Sequence, residues 1–220
     1  MSLKLAQTWV NAAFRGPLIA QHAMKLFDKA ADDGVDATLI AAPELMNNGK
    51  CCLAHWTRHE LVVLELTSRQ QRAFGIKKGE MIHELALVQE PRELPPISRV
   101  NLLDVRIDHR LQHNACKPLT GAFTFETIDR VSDPAFRYAL RVKYFHPRTK
   151  CRITGYSHGH LAPPRGELPF SFDPLASVGK HEPAKGPFVL FFQLVSAQNW
   201  TTMTKCQRIS NVAARMIEVV

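Results

Sequence analysis

The stretch FRYALRVKYFHPRTKCRITGYSHGH, at positions 136–160, predicts a β-hairpin and with it the character of the second half of the chain. Apolar residues alternate with basic ones before and after HPRT, a sequence that suits a tight turn with proline at its second position. With Pro147 and Arg148 as the two central residues of that turn, Lys143 lies opposite Arg152. Successive side chains of a strand point to opposite faces, so the apolar residues are expected on an inner face and the basic ones on an outer face.

The outer face predicted for this hairpin is strongly basic. Between Asp133 and Glu167 the sequence contains no Asp or Glu, so no acid nearby in sequence neutralises the face. Like charges directly opposite each other destabilise a strand pair. The face therefore predicts either an anionic partner, such as nucleic acid or an acidic protein surface, or a solvated edge strand protected by its charges. The candidate anion-binding residues are Arg141, Lys143, Arg148, Lys150 and Arg152.

Two aromatic residues of the hairpin bear on the kind of anion. Tyr138 and Tyr144 fall on the inner face in this register. A site that stacks nucleic-acid bases needs aromatic rings exposed beside the cations. Their inner position therefore weakens the case for base stacking.

The histidines His158 and His160 are two residues apart, so a continuing strand places both on one side. Two imidazoles placed in this way can share a metal ion. Glu167 or His181 is a possible third ligand. The sequence contains no C-x-x-C, H-E-x-x-H or paired Cys/His zinc spacing, and no phosphate-loop or nucleophile-elbow motif. The two histidines therefore make an enzyme with a divalent metal an alternative. Because these motifs are absent, no catalytic residue is assigned.

The excess of positive charge is confined to the second half of the chain. Of the 220 residues, positions 1–97 contain eleven Lys/Arg and eleven Asp/Glu, whereas positions 98–220 contain seventeen and nine, giving the whole net charge of +8. This asymmetry favours an anionic partner for the second half. A hydrophobic content of 45% suits a real core, and no apolar run reaches the roughly 18 residues that a membrane helix needs.

The N-terminus and the cysteines indicate a cytoplasmic protein. Gln7, Thr8 and Asn11 interrupt the continuous apolar segment that a signal peptide would require. The five cysteines are odd in number and irregularly spaced, as expected for free thiols in a reducing compartment. Each cysteine is expected to be a small buried residue.

Residues 1–90 are expected to form an α+β portion. Apolar spacing predicts two helices, the second opening at Pro17 and ending at Gly34. Two strands follow within 50–66, then a short helix with the capping-box spacing Ser68-x-x-Gln71, then a strand at 81–89. The segment 35–47 is ambiguous.

The remainder is expected to be an antiparallel β-sandwich at residues 98–220, joined by a proline-rich connector at 91–97. Six alternating strands are predicted, with FVLFFQLV as a central one, and a long proline-rich loop at 161–187. The fold class is therefore α+β, with N-terminal helices and a small β meander before the sandwich. The leading functional hypothesis is a non-enzymatic binding or interaction module whose basic hairpin meets an anionic partner. The alternatives are a metal-dependent enzyme centred on the two histidines, or a structural or assembly protein.

Overall fold

The chain forms two compact units, Met1–Gln89 and Glu90–Val220. The computed structural model describes residues 2–74, 76–77, 81–86, 94, 96–108, 117–128, 136–145, 152–162, 164–172 and 186–220. None of the helices in that part of the chain has the length and apolar character needed to cross a bilayer.

The N-terminal unit is a four-stranded antiparallel sheet with helices packed on it. Its elements are α1 (Ser2–Ala13), α2 (Pro17–Asp32), β1 (Asp36–Ala41), a 3-10 turn (Pro43–Leu45), β2 (Cys52–Trp56), β3 (Leu61–Glu65), α3 (Ser68–Ala73) and β4 (Met81–Ala86). The strand order is β3-β2-β1-β4. Val10 and Phe27 of the first two helices share a buried cluster with Leu39 and Trp56 of the sheet. The apolar stripes predicted from helical spacing thus pack on one face of this sheet.

Local sequence signals set the ends of these helices. α2 begins at Pro17 as predicted, and Gly34 after its end has the left-handed φ of 69° that favours glycine. The capping box of α3 lies one residue earlier than predicted: Thr67 Oγ1 accepts from the backbone N–H of Gln70 at 3.3 Å, and Gln70 Oε1 accepts from that of Thr67 at 2.8 Å. The sequence TSRQQ matches the pattern in two registers, so spacing alone does not distinguish them. The ambiguous segment contains β1.

The C-terminal unit consists of two antiparallel sheets. Its strands are β5 (Val100–Ile107), β6 (Leu119–Thr127), β7 (Phe136–Phe145), β8 (Arg152–Leu161), β9 (Arg165–Phe172), β10 (Gly186–Asn199), β11 (Thr204–Arg208) and β12 (Ala213–Val219). One sheet has the order β11-β10-β7-β8, with β12 also paired to β10, and the other has the order β5-β6-β9. β10, which contains FVLFFQLV, is central as predicted.

The inner faces of these two sheets share one hydrophobic core. Phe170 of the three-stranded sheet contacts Phe192 of the five-stranded sheet with ring centroids 5.6 Å apart. Phe123 meets Tyr138 edge-on at the same separation. Burying one such ring stabilises a fold by about 1.5–3 kcal/mol. The predicted sandwich, and with it the α+β fold class, is confirmed.

The prediction of a long loop at 161–187 is wrong for those of its residues that the structure describes. β8 continues to Leu161, and residues 165–172 form β9, in which Phe170 and Phe172 are buried. The prolines obscured this strand because Pro169 breaks the usual strand pattern. β9 lies at the edge of its sheet, where a proline without an N–H is tolerated. Residues 173–185 lie outside the described residues.

The end of the predicted connector is held by backbone hydrogen bonds to β11. The N–H of Leu94 donates to the carbonyl of Cys206 at 2.7 Å, and that of Ile97 donates to the carbonyl of Arg208 at 2.8 Å. These residues therefore run alongside the sheet. Residues 91–93 and 95 of the connector are not among those that the structure describes.

Candidate anion-binding site

The five-stranded sheet has a second face, opposite to the sandwich core, and this face collects the basic residues of β7. Arg137, Arg141 and Lys143 alternate along β7 with core residues such as Leu140 and Val142. This side of the sheet is named the basic face. Its polar and aromatic side chains come from four strands and the turn after β10: Arg137, Arg141, Lys143, Tyr156, His158, His160, Gln193, Trp200 and Arg208.

The predicted register of the β7–β8 hairpin is wrong by two residues. Lys143 lies opposite Thr154 rather than Arg152, and Arg152 lies opposite Phe145. A shift of two residues leaves every side chain on its original face, so the hydrophobic pattern fits both registers equally. The like-charge pair expected between Lys143 and Arg152 is therefore not formed.

The candidate cations of β7 are buried, whereas an exposed outer face was predicted. Arg141 is 2% exposed and Lys143 is 6% exposed, and Arg208 of β11 is 8% exposed. β7 is thus buried on both sides from Arg141 to Lys143, whereas Arg137 is exposed. Arg148 and Lys150 lie outside the described residues, and Arg152 begins β8.

Gln193 of β10 contributes a buried acceptor to the basic face. Its Cα lies opposite that of Arg141, and its side chain is 4% exposed. With the carboxamide oxygen turned towards the guanidinium, Gln193 Oε1 accepts from Arg141 Nε at 2.6 Å and from Nη2 at 2.5 Å. A carboxamide satisfies donors of the guanidinium and carries no charge, so this contact holds Arg141 in place without neutralising it.

Four of the five strands of this sheet contain cations and no acids, and the fifth, β12, contains Arg215 and Glu218. β7, β8, β10 and β11 together have six Lys/Arg and no Asp or Glu. The six are Arg137, Arg141, Lys143, Arg152, Lys205 and Arg208.

One end of the basic face is a partly exposed group of rings and cations, named the aromatic cluster: Arg137, Tyr156, His158, His160 and Trp200. The Arg137 guanidinium carbon lies 4.6 Å from the centre of the Trp200 ring, a cation–π contact. The His158 ring lies 6.1 Å from that of Trp200 and 6.4 Å from that of Tyr156. Tyr156 and Trp200 are half-buried, and Arg137 and both histidines are exposed.

The aromatic cluster is fixed from below by a small apolar patch. Ala139, Val195, Met203 and Cys206 are buried there, and the half-buried rings pack against them. The position of Trp200 follows from the β10–β11 turn, in which Asn199 Oδ1 accepts from the N–H groups of residues 201 and 202 at 3.0 and 3.1 Å. The cluster therefore has a rigid base and a solvent-facing upper side.

The surroundings of His158 in the aromatic cluster lower the pKa of its imidazole. Partial desolvation, and then the neighbouring Arg137 guanidinium, lower the pKa of His158 below its ordinary value of 6.5. Both effects favour the neutral imidazole. An anion bound beside Arg137 would offset that repulsion and favour the protonated ring.

The proposed metal ligands are only partly brought together. His158 and His160 project from the same side of β8, as predicted from their spacing. Glu167 lies on β9 in the other sheet, where it forms an ion pair with Arg106 at 3.2 Å. His181 lies outside the described residues. Within the described ranges no three His, Cys, Asp or Glu side chains are grouped closely enough to hold a metal ion.

Three residues of the aromatic cluster were missed at the level of sequence. Arg137 lies on the same side of β7 as Arg141, and Tyr156 on the same side of β8 as His158, so extending the alternation in each strand would have found both. Trp200 carries no such signal, because its position depends on a turn that follows β10 and on the unpredicted strand β11.

The thiols and the buried histidine of the N-terminal unit have structural surroundings. Burial raises the pKa of Cys51 to about 12 and that of Cys52 to about 11, so neither is an activated nucleophile. His55 and Thr38 are each 2% exposed, and His55 Nδ1 lies 2.9 Å from Thr38 Oγ1. The imidazole and the hydroxyl therefore form a hydrogen bond with each other within the sheet.

No model of a known protein family matches this chain, and a search of the curated proteins finds no significant match. The assignment of function therefore depends on the chemistry of the basic face.

Proposed function

We propose that the Glu90–Val220 unit is a non-enzymatic binding module whose basic face takes an anionic partner. The observation that carries the proposal is the composition of four adjacent strands, which supply six cations and no acid. Three of those cations, Arg141, Lys143 and Arg208, are buried on one face. Desolvation offsets much of what a buried cation gains from its partners, so three of them on one face add little stability.

The partner is proposed to enter at the aromatic cluster, where the basic face is exposed. Arg137, His158 and His160 are accessible to a ligand there, whereas Arg141 and Lys143 are too deeply buried for direct contact with a large partner. The buried cations then act through the positive potential that they create. The free buried thiols Cys51 and Cys52 support the cytoplasm as the proposed location.

The test of this proposal is a pair of charge reversals with the same change in net charge. Arg137→Glu alters the exposed end of the basic face, and Lys117→Glu alters an exposed cation just before β6 in the other sheet. We expect wild type to be retained on immobilised heparin and Arg137→Glu to elute at clearly lower salt, with Lys117→Glu close to wild type.

Two results would contradict the proposal. One is a wild-type protein that passes through heparin unretained at low salt. The other is equal loss of retention in the two variants, which would mean that only net charge matters. Lys143 is unsuitable for this test, because a carboxylate at so buried a position is expected to destabilise the fold.

A metal-dependent enzyme centred on His158 and His160 is the second candidate. It is supported by the common orientation of the two imidazoles on β8 and by their exposure. Elemental mass spectrometry of protein purified without chelators tests it. Near-stoichiometric zinc, iron or manganese that is lost in the double alanine variant would favour this candidate over a binding module.

A further inference from the structure

We infer that the anionic partner is single-stranded nucleic acid, whose bases stack on the aromatic cluster. This inference rests on the proposed function and specifies its ligand. The supporting observation is independent of the charge count: half-exposed Tyr156 and Trp200 lie on the same face as the cations, next to exposed Arg137 and His158. Rings beside cations are the combination with which proteins bind single strands.

The two tyrosines whose inner position weakens the case for base stacking do not belong to the aromatic cluster. Tyr138 and Tyr144 are 3% and 2% exposed and belong to the sandwich core. Burial raises the pKa of Tyr138 to about 12, as expected for a phenol within that core. The tyrosine available for stacking is Tyr156. It lies on the basic face, because it is opposite Arg141 on the neighbouring strand.

The geometry of the cluster suits a ligand that carries flat rings as well as negative charge. Successive ring centres from Tyr156 to His158 and from His158 to Trp200 are 6.4 Å and 6.1 Å apart. Arg137 lies at the Trp200 end, with its guanidinium 4.6 Å from the ring centre. A phosphate that pairs with Arg137 would hold its attached nucleoside beside these rings, where a base can stack on the guanidinium plane or on a neighbouring ring.

Other anions use this surface less well. A carboxylate of an acidic protein gains from Arg137 but not from half-exposed Tyr156 and Trp200. A duplex keeps its bases stacked on each other and presents only phosphates. Every base has a flat face that can stack on a ring, so recognition by stacking is expected to tolerate any base sequence.

The experiment compares variants that remove a ring with variants that keep one. The full-length chain is titrated into a fluorescein-labelled oligothymidylate of about twelve nucleotides, within the range of known single-strand site sizes. Tyr156→Leu and Trp200→Leu should each weaken binding about tenfold, since stacking on one ring has an effect of that order. Tyr156→Phe and Trp200→Phe should remain close to wild type.

A second readout is independent of how well the leucine variants fold. Stacking of a base on Trp200 quenches indole emission, so the oligonucleotide should quench wild-type fluorescence. Trp200→Phe retains only Trp9 and Trp56, both in the N-terminal unit, and should show no such quenching. Heparin, which has no bases, should bind wild type without quenching.

The outcomes separate this inference from the proposed function. If heparin or polyglutamate binds as tightly as the oligonucleotide, and all four ring variants bind like wild type, the module takes anions without stacking and the inference is wrong. The same holds if a duplex of equal length binds more tightly. If no polyanion binds at low salt, the proposed function itself fails.

Discussion

The two faces of β7 differ in chemistry although both are buried. Tyr138, Leu140 and Val142 face the sandwich core and are joined there by aromatic rings of both sheets. On the other face, Arg141 and Lys143 are also buried, and they lie between the neighbouring strands β8 and β10. Burial alone therefore does not distinguish the core face from the face that is proposed to bind a partner, and the chemistry of the buried groups does.

This difference predicts that stability and binding can be separated by mutation. Apolar burial on the core face contributes about 1.5–3 kcal/mol for each large side chain. A buried cation contributes much less, because desolvation offsets its favourable contacts. Changes on the core face should therefore unfold the unit, and changes at the exposed end of the basic face should reduce binding.

The largest effect is expected from Phe192→Ala on the core face. Phe192 is 0% exposed and contacts Phe170 across the sandwich, so its truncation leaves a cavity. The free energy of unfolding should fall by about 3–5 kcal/mol. Urea denaturation measures this, with Leu103→Ala as a control because Leu103 is 45% exposed. A loss for Phe192→Ala no larger than that of the control would contradict the sandwich core.

A smaller effect is expected from Gly121→Ala in β6. A Cβ at this position would lie 2.6 Å from Phe170 Cζ and would also meet the carbonyl oxygen of Arg106, so backbone must move. Overpacking of this kind costs about 1–3 kcal/mol. Gly166→Ala is the matched control, because its added Cβ meets only the Phe125 ring at 3.1 Å. Thermal melting should rank Gly121→Ala as clearly less stable, and a reversed ranking would contradict the close packing at Gly121.

The smallest effect concerns the pH dependence at His158. Because its pKa is lower in the fold than in the unfolded chain, the unfolded state binds more protons, and the stability linked to His158 is lost as pH falls below about 6.5. The groups around it are Arg137, Tyr156, His160 and Trp200. NMR titration of the imidazole should give a pKa below 6.5 in the free protein. Addition of the oligonucleotide should raise that pKa, and an unchanged pKa in the saturated complex would place the anion away from His158.

The fold could be predicted from sequence where alternation is unbroken. FRYALRVKYF matches the bounds of β7, and FVLFFQLV lies within the central strand β10. β9 and β11 were missed for physical reasons: Pro169 interrupts the pattern of one, and the other is a five-residue polar strand, TKCQR. Strand register could not be predicted, because a shift of two residues preserves the face of every side chain.

The sequence predicted on which face of the sheet the candidate residues lie, but it did not predict that they are buried. Alternation places Arg141 and Lys143 on the face away from the core, as the structure shows. Their burial depends on tertiary packing, which a local pattern does not reveal. Trp200 joins the face only through the tertiary arrangement of a turn. Long-range contacts of this kind are the part of the site that sequence alone does not provide.

The salt dependence of polyanion binding tests the central claim most directly. We predict that wild-type protein binds a labelled oligothymidylate at low salt and that the logarithm of its affinity falls linearly with the logarithm of salt concentration. In Arg137→Gln the slope should be smaller by about 1, and in Lys117→Gln it should be unchanged. Absence of binding at about 50 mM salt, or a slope that does not respond to Arg137, would contradict an anion-binding function for the basic face.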